Sequence, residues 1–242
     1  MTQQSLRLVE APAATAARPE HLHTVALALA NRLDQPGSIT RSLLRRLMSE
    51  AFGASDADGA WSMRDAYDAL ETAQFLGVMG GKIDTPASDA SREGFAAVKA
   101  LHDALPTQTY RSERQVDLQQ FSTPLTLAWL AACAARLESN DVILEPSAGT
   151  GMLAAQVIAA GADIVLNERD GDRAALLERA SGRCVSRHDA EYIHDRLDPA
   201  IAPTVILINP TFSRSEGRGK DRHAGARHLH SALLRMAPGG RC

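Results

Sequence analysis

The sequence predicts an α/β fold: a parallel sheet wound with helices on both faces, preceded by a small helical domain. Three observations carry this. Short apolar runs at about 142–145, 163–167, 183–187 and 204–208 alternate with helical runs, as right-handed parallel βαβ units require. The first run ends in Glu145 and passes through Pro146-Ser-Ala-Gly-Thr-Gly151 into a helix opening at about Met152, which is how such sheets present a ligand site. Residues 21–106 carry apolar stripes at helical spacing.

The elements follow in order. Residues 1–20, rich in Ala, Thr and Pro, read as a flexible tail. Ser38 is placed to cap a helix whose residues Ile39, Leu43, Leu44, Leu47, Met48 and Phe52 share one face, with Gly53 as the stop. Ser62 and Asp65 form a capping-box start for a helix carrying Ala66, Tyr67, Leu70 and Phe75. A third helix covers about 92–105 and ends at Pro106. These stripes read as core, so the 21–106 domain leans on the rest and shows no chemistry of its own. The sheet domain spans 107–242. Tyr110 to Gln115 is a polar linker, and Thr123 and Pro124 look like the cap and first position of a helix through Leu137.

The glycine loop holds the chemistry. Gly149 and Gly151 let the backbone take left-handed angles and approach a ligand closely. The helix behind them aims its unpaired amides at the same place. The run Gly149 to Ala154 also satisfies G-x-G-x-x-A, and Glu168 closes the next strand where a ribose-binding acid sits, so a dinucleotide is one reading. Glu145 weighs against it. A carboxylate about 5–6 Å from a pyrophosphate costs roughly 3 kcal/mol per charge at an effective dielectric of ~20. S-adenosyl-L-methionine carries a sulfonium and an ammonium, which the same carboxylate attracts. Strand-to-helix turns of this kind also occur without a ligand. A nucleophile elbow does not fit, because Ser147 lacks a glycine two residues before it.

The run Thr204 to Phe212 is another apolar strand ending in polar residues. In a doubly wound sheet it can lie beside the first, with Asn209 facing Gly149 across the crevice. Methylation of an exocyclic amine needs hydrogen-bond acceptors, so that the nitrogen lone pair points at the methyl group. The Asn209 side-chain carbonyl and the Pro210 main-chain carbonyl suit that task, and Phe212 can stack on an extruded base. Asn-Pro is equally an ordinary turn starter after a strand.

These residues resemble the amino-methylating class I DNA methyltransferases, the adenine-modifying group especially. The run Glu145, Pro146, Ala148, Gly149 and Gly151 is similar to their first cofactor motif. Glu168 and Asp189 are similar to the acids that hold the ribose hydroxyls and the adenine ring in that family. Asn209-Pro210-Thr211-Phe212 resembles its Asn-Pro-Pro-Phe catalytic motif, and Gln120 to Pro124, with Phe121, Thr123 and Pro124, resembles the segment that closes over the methionine end of the cofactor. From about His21 onward the chain is also similar to the methyltransferase-like part of large bacterial proteins with a strawberry-notch-type helicase region. The carrying segments are Ala51 to Asp56, Leu105 to Gln108, Gln120 to Pro124 and Glu145 to Gly151.

The resemblance implies a Rossmann-like class I methyltransferase sheet, S-adenosyl-L-methionine as cofactor, and adenine in DNA rather than RNA as substrate. A helicase-like continuation or partner chain is also implied. Thr211 departs from the pattern: a proline there holds its predecessor extended, and Thr211 relaxes that constraint. A cofactor- or nucleic-acid-binding module without turnover is therefore the second reading. An NAD-linked oxidoreductase is the third.

Composition sets the frame. The 242 residues are long enough for one α/β domain and a small helical one. A hydrophobic content of 45% with only 4% aromatic residues predicts a core of Ala, Leu, Val and Ile. The net charge of −3 excludes a polycation, so any nucleic-acid surface is local. Cys133, Cys184 and Cys242 show no C-x-x-C spacing, which fits a reducing cytoplasm without zinc or disulfides. Val25 to Ala30 is too short to span a membrane. The glycine-rich stretch 213–227 sets Arg214, Arg218, Lys220, Arg222 and Arg227 against Glu216 and Asp221, a flexible loop suited to phosphates or simply to solvent. His223, His228 and His230 lack accompanying metal ligands. After the helical run 228–236, Pro238-Gly239-Gly240 reads as a turn towards a further strand. The sheet is therefore expected to be C-terminally incomplete, with an open edge at 204–208 and poor solubility or oligomerisation of the chain alone.

Overall fold

In the computed structural model, which describes residues 14–107, 122–210, 214–216, 219–221 and 223–242, the amino-terminal part is built from four helices. These are α1 (Ala14–Ala30), α2 (Arg41–Phe52), α3 (Met63–Met79) and α4 (Arg92–Ala104). Helix α1 takes up residues 14–20 of the expected loose tail, because it begins at Ala14 and runs through Pro19. Its Leu22, Val25, Ala26 and Leu29 are buried, and that apolar face orders the segment. Helix α2 is capped by Thr40, whose side chain accepts from the Leu43 amide, and not by Ser38. Ser38 instead closes a 3-10 turn begun at Pro36. Gly53 does end α2, in the left-handed region at φ 65°. Ser62 and Asp65 form the expected reciprocal cap of α3, and Ser91 caps α4.

The second half alternates strands and helices. Helix α5 (Leu125–Ala135) leads to β1 (Val142–Glu145), α6 (Met152–Ala159), β2 (Asp163–Asn167), α7 (Gly171–Ser181) and β3 (Val185–Ser186). A short helix α8 (Ile193–Arg196), β4 (Val205–Ile206) and α9 (Ala224–Leu233) complete the series. The strands form one parallel sheet in the order β3-β2-β1-β4. The order reverses at β1, so β1 and β4 flank a topological switch point. The expected α/β, Rossmann-like class is the observed one.

Alternation along the strands splits the core. Ile143, Leu166, Val185 and Val205 join a buried cluster running unbroken through α5, α6 and α7 into α1–α4. Leu144 and Ile206 face the other way, against Ile193, Leu197 and Ala232 of the α8–α9 side. The amino-terminal helices thus lie as a further layer outside α6 and α7, with α1 and α3 both against α7 and α3 against α6.

Two further expectations are corrected. The edge at β4 is not bare: Arg241 pairs with Val205 in parallel, and its carbonyl accepts from the Ile206 amide at 2.9 Å. Its guanidinium is bonded to Asp141, a buried acid that also accepts from the Thr204 hydroxyl at 2.7 Å. Within the glycine-rich stretch, Arg214–Glu216 (β5) and Gly219–Asp221 (β6) pair as an antiparallel hairpin rather than a structureless loop. Among the described residues no helix is long and apolar enough to cross a membrane, and no group of His, Cys, Asp or Glu is arranged to hold a metal.

Candidate cofactor and substrate site

The site lies where β1 and β4 end. Backbone pairing continues one residue past β4, the Leu207 amide donating to the Leu144 carbonyl at 3.1 Å. Asn209 therefore follows β4 beside the Glu145-to-Gly151 turn that follows β1. Thr123 meets it from the segment before α5: the Asn209 amide nitrogen donates to the Thr123 hydroxyl at 3.1 Å. Thr123 was expected to cap α5, but the side chain makes no such bond. The position before the helix is held by Pro124 instead. With its Nδ2 committed to Thr123, Asn209 keeps its carbonyl oxygen as an acceptor. A groove of about 390 Å³ opens between α5 and β4, with Thr123 and Asn209 among otherwise mainly apolar walls that include Leu127, Ala131, Leu153 and Leu207. Pro210 is the last residue described before the motif leaves the described region. Thr211, Phe212 and Phe121 lie outside the described residues.

The turn after β1 is pinned by a buried amide that sequence reasoning missed. Asn167 donates to the carbonyls of Pro146 (2.9 Å) and His188 (3.0 Å), and its oxygen accepts from the Ser186 hydroxyl and the His188 amide, both at 2.8 Å. Its own carbonyl accepts from the Ala148 amide. One fully satisfied side chain so ties the ends of β1, β2 and β3 together. Its position at the close of an apolar strand is the only sequence signal for it.

The two glycines do different work. Gly149 sits at φ 56°, and a Cβ added there would find its nearest neighbour, Arg173 Nη1, 3.8 Å away. That side of the turn is open to a ligand. Gly151, at φ 89°, has no such room, because a Cβ would lie 2.5 Å from Leu177 Cδ1 and 3.2 Å from Phe75 Cδ2. The absence of a side chain at Gly151 thus allows close packing of α6 on α7 and α3. Gly151→Ala is expected to lower stability by about 1–3 kcal/mol through strain and overpacking. Thermal unfolding measures this, and an unchanged midpoint would show that Leu177 swings away freely.

Around the turn lies a cluster of buried charge. Glu145 is 2% exposed and sits beneath the first turn of α6, where the Ala154 amide donates to its carboxylate. Its Oε2 atom has no partner. Burial pushes its carboxyl well above the ordinary range, and the nearby Glu168 charge adds to this. Glu168 accepts from the Gly149 amide at 2.7 Å and the Asp170 amide at 2.8 Å. It too is raised by burial, against the opposing pull of Arg173. Asp189 lies farther out at the end of β3. It caps the turn 190–192, pairs with Arg169 at 2.9 Å, and stands 3.9 Å from the buried ring of His228.

The remaining members come from α3, where no chemistry was expected. Asp68 holds the buried Arg173 of α7, with Nη2 to Oδ1 at 2.5 Å and Nε bonded as well. Arg173 Nη2 also reaches the Ser122 hydroxyl at 3.1 Å. Glu71 accepts from the Thr150 hydroxyl at 2.8 Å, directly at the glycine turn. A signal was present: Arg64, Asp68 and Glu71 fall at i, i+4 and i+7 in line with Phe75 and Val78, and charges on a helix's buried stripe need partners elsewhere. Ser122 and Thr123 connect the halves, one reaching Arg173 beside the turn and the other Asn209.

No family model matches the chain, and no curated protein matches it. Among solved structures it is similar to a protein of Pyrococcus horikoshii provisionally assigned as an RNA methyltransferase, at 22% identity and a TM-score of 0.42, over 58% of this chain and 69% of that one. The assignment of the fold therefore rests on the strand order and register given above.

Proposed function

We propose that the chain is an S-adenosyl-L-methionine-dependent methyltransferase-like protein acting on the exocyclic amine of adenine in DNA. One observation carries this reading. A buried carboxylate with a partnerless oxygen, Glu145 Oε2, underlies a glycine turn whose Gly149 side is open. Such a wall suits a cationic ligand and repels a pyrophosphate. When bound, the cofactor supplies a methyl group on a positively charged sulfur. The chain's own residues do the rest. In this reading Gly149 gives the ligand room, Glu145 and Glu168 ionise against the cationic end of the ligand, and Asp189 meets the far end of its nucleoside. Asn209, oriented through Thr123, offers its side-chain oxygen to one amine hydrogen, and the Pro210 carbonyl offers another acceptor. Phe212 supplies the stacking surface in this reading, and Phe121 and Pro124 close over the amino-acid end. The β5–β6 hairpin brings basic residues directly after the motif, suited to the phosphates of a substrate strand.

The test has two stages. Calorimetry with S-adenosyl-L-methionine and with NADH establishes the ligand, and tritium transfer to unmethylated DNA and to RNA establishes reaction and substrate. Gly149→Val is expected to abolish cofactor binding by filling the open side of the turn. Asn209→Ala should leave affinity nearly intact and reduce transfer at least about a hundredfold. Equal loss of cofactor affinity in both variants contradicts this division of roles. Thr211 in the catalytic motif favours the second reading, a cofactor- or nucleic-acid-binding module of a larger helicase-like assembly. Tight cofactor binding without transfer to either nucleic acid selects it.

A further inference from the structure

We infer that the protein carries a second small-molecule site, away from the glycine turn, suited to a planar lactam that bears an anionic group. A cavity of about 190 Å³ opens between α5, α6 and the segment before α4. Ala87 and Ala90 come from that segment, Ala132 and Cys133 from the last turn of α5, and Gln156 and Ala160 from α6 and its cap. Both helices start beside the site described above, after Thr123 and Gly151, and run away from it. Cys133 lies well beyond Leu125, about 12 Å along the axis at roughly 1.5 Å per residue, so the two sites are separate.

Gln156 gives the cavity its chemistry. It is 1% exposed, and neither its amide nitrogen nor its amide oxygen has a hydrogen-bond partner. Buried polar atoms are paired in the great majority of cases, so an amide orphaned at both atoms calls for a partner, and the cavity it lines is where one enters. The terminal torsion of a glutamine is soft, so the amide turns to meet that partner at little cost. Water is a poor candidate, because it needs about two to four polar partners and the walls beside Gln156 are mostly alanine, proline and leucine. The complement of a primary amide is a donor and an acceptor side by side, which is the edge of a lactam. Alanine at 87, 90, 132 and 160 leaves room for a flat ring. The charge comes from Arg136, which lines the same cavity, is exposed, and forms no ion pair among the described residues. Its backbone is left-handed at φ 48°, where a helix end usually has glycine, so the guanidinium is held at a position that costs stability. Frustrated packing alone accounts for the orphaned amide, but it gives the cavity no ligand.

Calorimetry on the full chain tests this with three probes. Orotate has both the lactam edge and a carboxylate, uracil has the edge alone, and benzoate has the charge alone. Orotate is expected to bind at least about tenfold more tightly than either of the others. Gln156→Leu should weaken orotate and uracil about ten- to a hundredfold and leave benzoate within about twofold. Arg136→Gly, which suits the left-handed backbone, should weaken orotate and benzoate about tenfold and leave uracil within about twofold. Thermal unfolding checks that both variants fold, and Gln156→Leu should unfold no lower than wild type, because it removes an unpaired amide. Wild-type protein that binds none of the probes more tightly than about 1 mM overturns the site and leaves a cavity holding water only. Variants that change all three affinities equally, or not at all, overturn it as well. No outcome bears on the methyl-donor reading, which this inference does not use.

Discussion

Asp68→Ala is expected to destabilise the protein by about 3–5 kcal/mol, because it strands a charge that the fold has taken out of water. The side chains of Arg173 and Asp68 are 6% and 7% exposed. Burial alone would lower the Arg173 pKa, yet the Asp68 charge and hydrogen bonds hold it above its ordinary value. With Asp68 gone, the guanidinium keeps Ser122 and the more distant field of Glu71 and Glu168, which is poor compensation at that depth. Arg173 joins α7 to α3, so the loss should loosen the helical layer before the sheet. Urea unfolding followed by far-ultraviolet circular dichroism measures the total, and hydrogen exchange locates it. Asp68→Leu combined with Arg173→Met should recover only part of the loss, since Glu168 then lacks its cation. A change below about 1 kcal/mol for Asp68→Ala would mean that the ion pair does not hold the two layers together.

Glu145→Gln is expected to raise stability at neutral pH while lowering cofactor affinity. Its carboxyl lies well above the ordinary 4.5 in the folded state, through burial first and the Glu168 charge second. Between the ordinary value and the folded one, the native protein binds more protons than the unfolded chain. Stability is therefore greatest below that window, falls as pH rises through it, and is constant beyond it. Glutamine removes this dependence. The gain at neutral pH should be about 1–3 kcal/mol, the scale of leaving a buried group uncompensated. Denaturant titrations at pH 5, 6, 7 and 8 on both proteins would show the two curves diverging upward in pH. A variant less stable than wild type at pH 8 would show that the ionised carboxylate supports α6 rather than opposing the fold.

Much of this was legible in the chain, for identifiable reasons. The strand from Val142 ends in a carboxylate and a turn with two glycines at positive φ, and local chemistry alone dictates that geometry. The capping box at Ser62 and the glycine stop at Gly53 depend on a few neighbouring atoms, so spacing revealed them. Errors arose where distant contacts outweighed local preference. Thr123 looked like a cap and is instead the partner of Asn209, 86 residues away. Residues 14–20 looked loose, yet α1 gains order by burying Leu22, Val25 and Leu29 against α3 and α7. The two glycines of one motif looked equivalent until Leu177 and Phe75 were seen filling the space beside one of them.

From the amino acids alone came the alternating parallel architecture, the turn at residues 145–151 and the pairing of that turn with Asn209 as candidate partners. Periodicity and turn chemistry act over a handful of residues, and a single chain displays them openly. Only the tertiary structure decided that α3 contributes Asp68 and Glu71 to the glycine turn, and that Glu145 carries a buried oxygen with nothing to bind. Such facts depend on which charges lose water together, and that is set by packing between layers rather than by spacing along the chain.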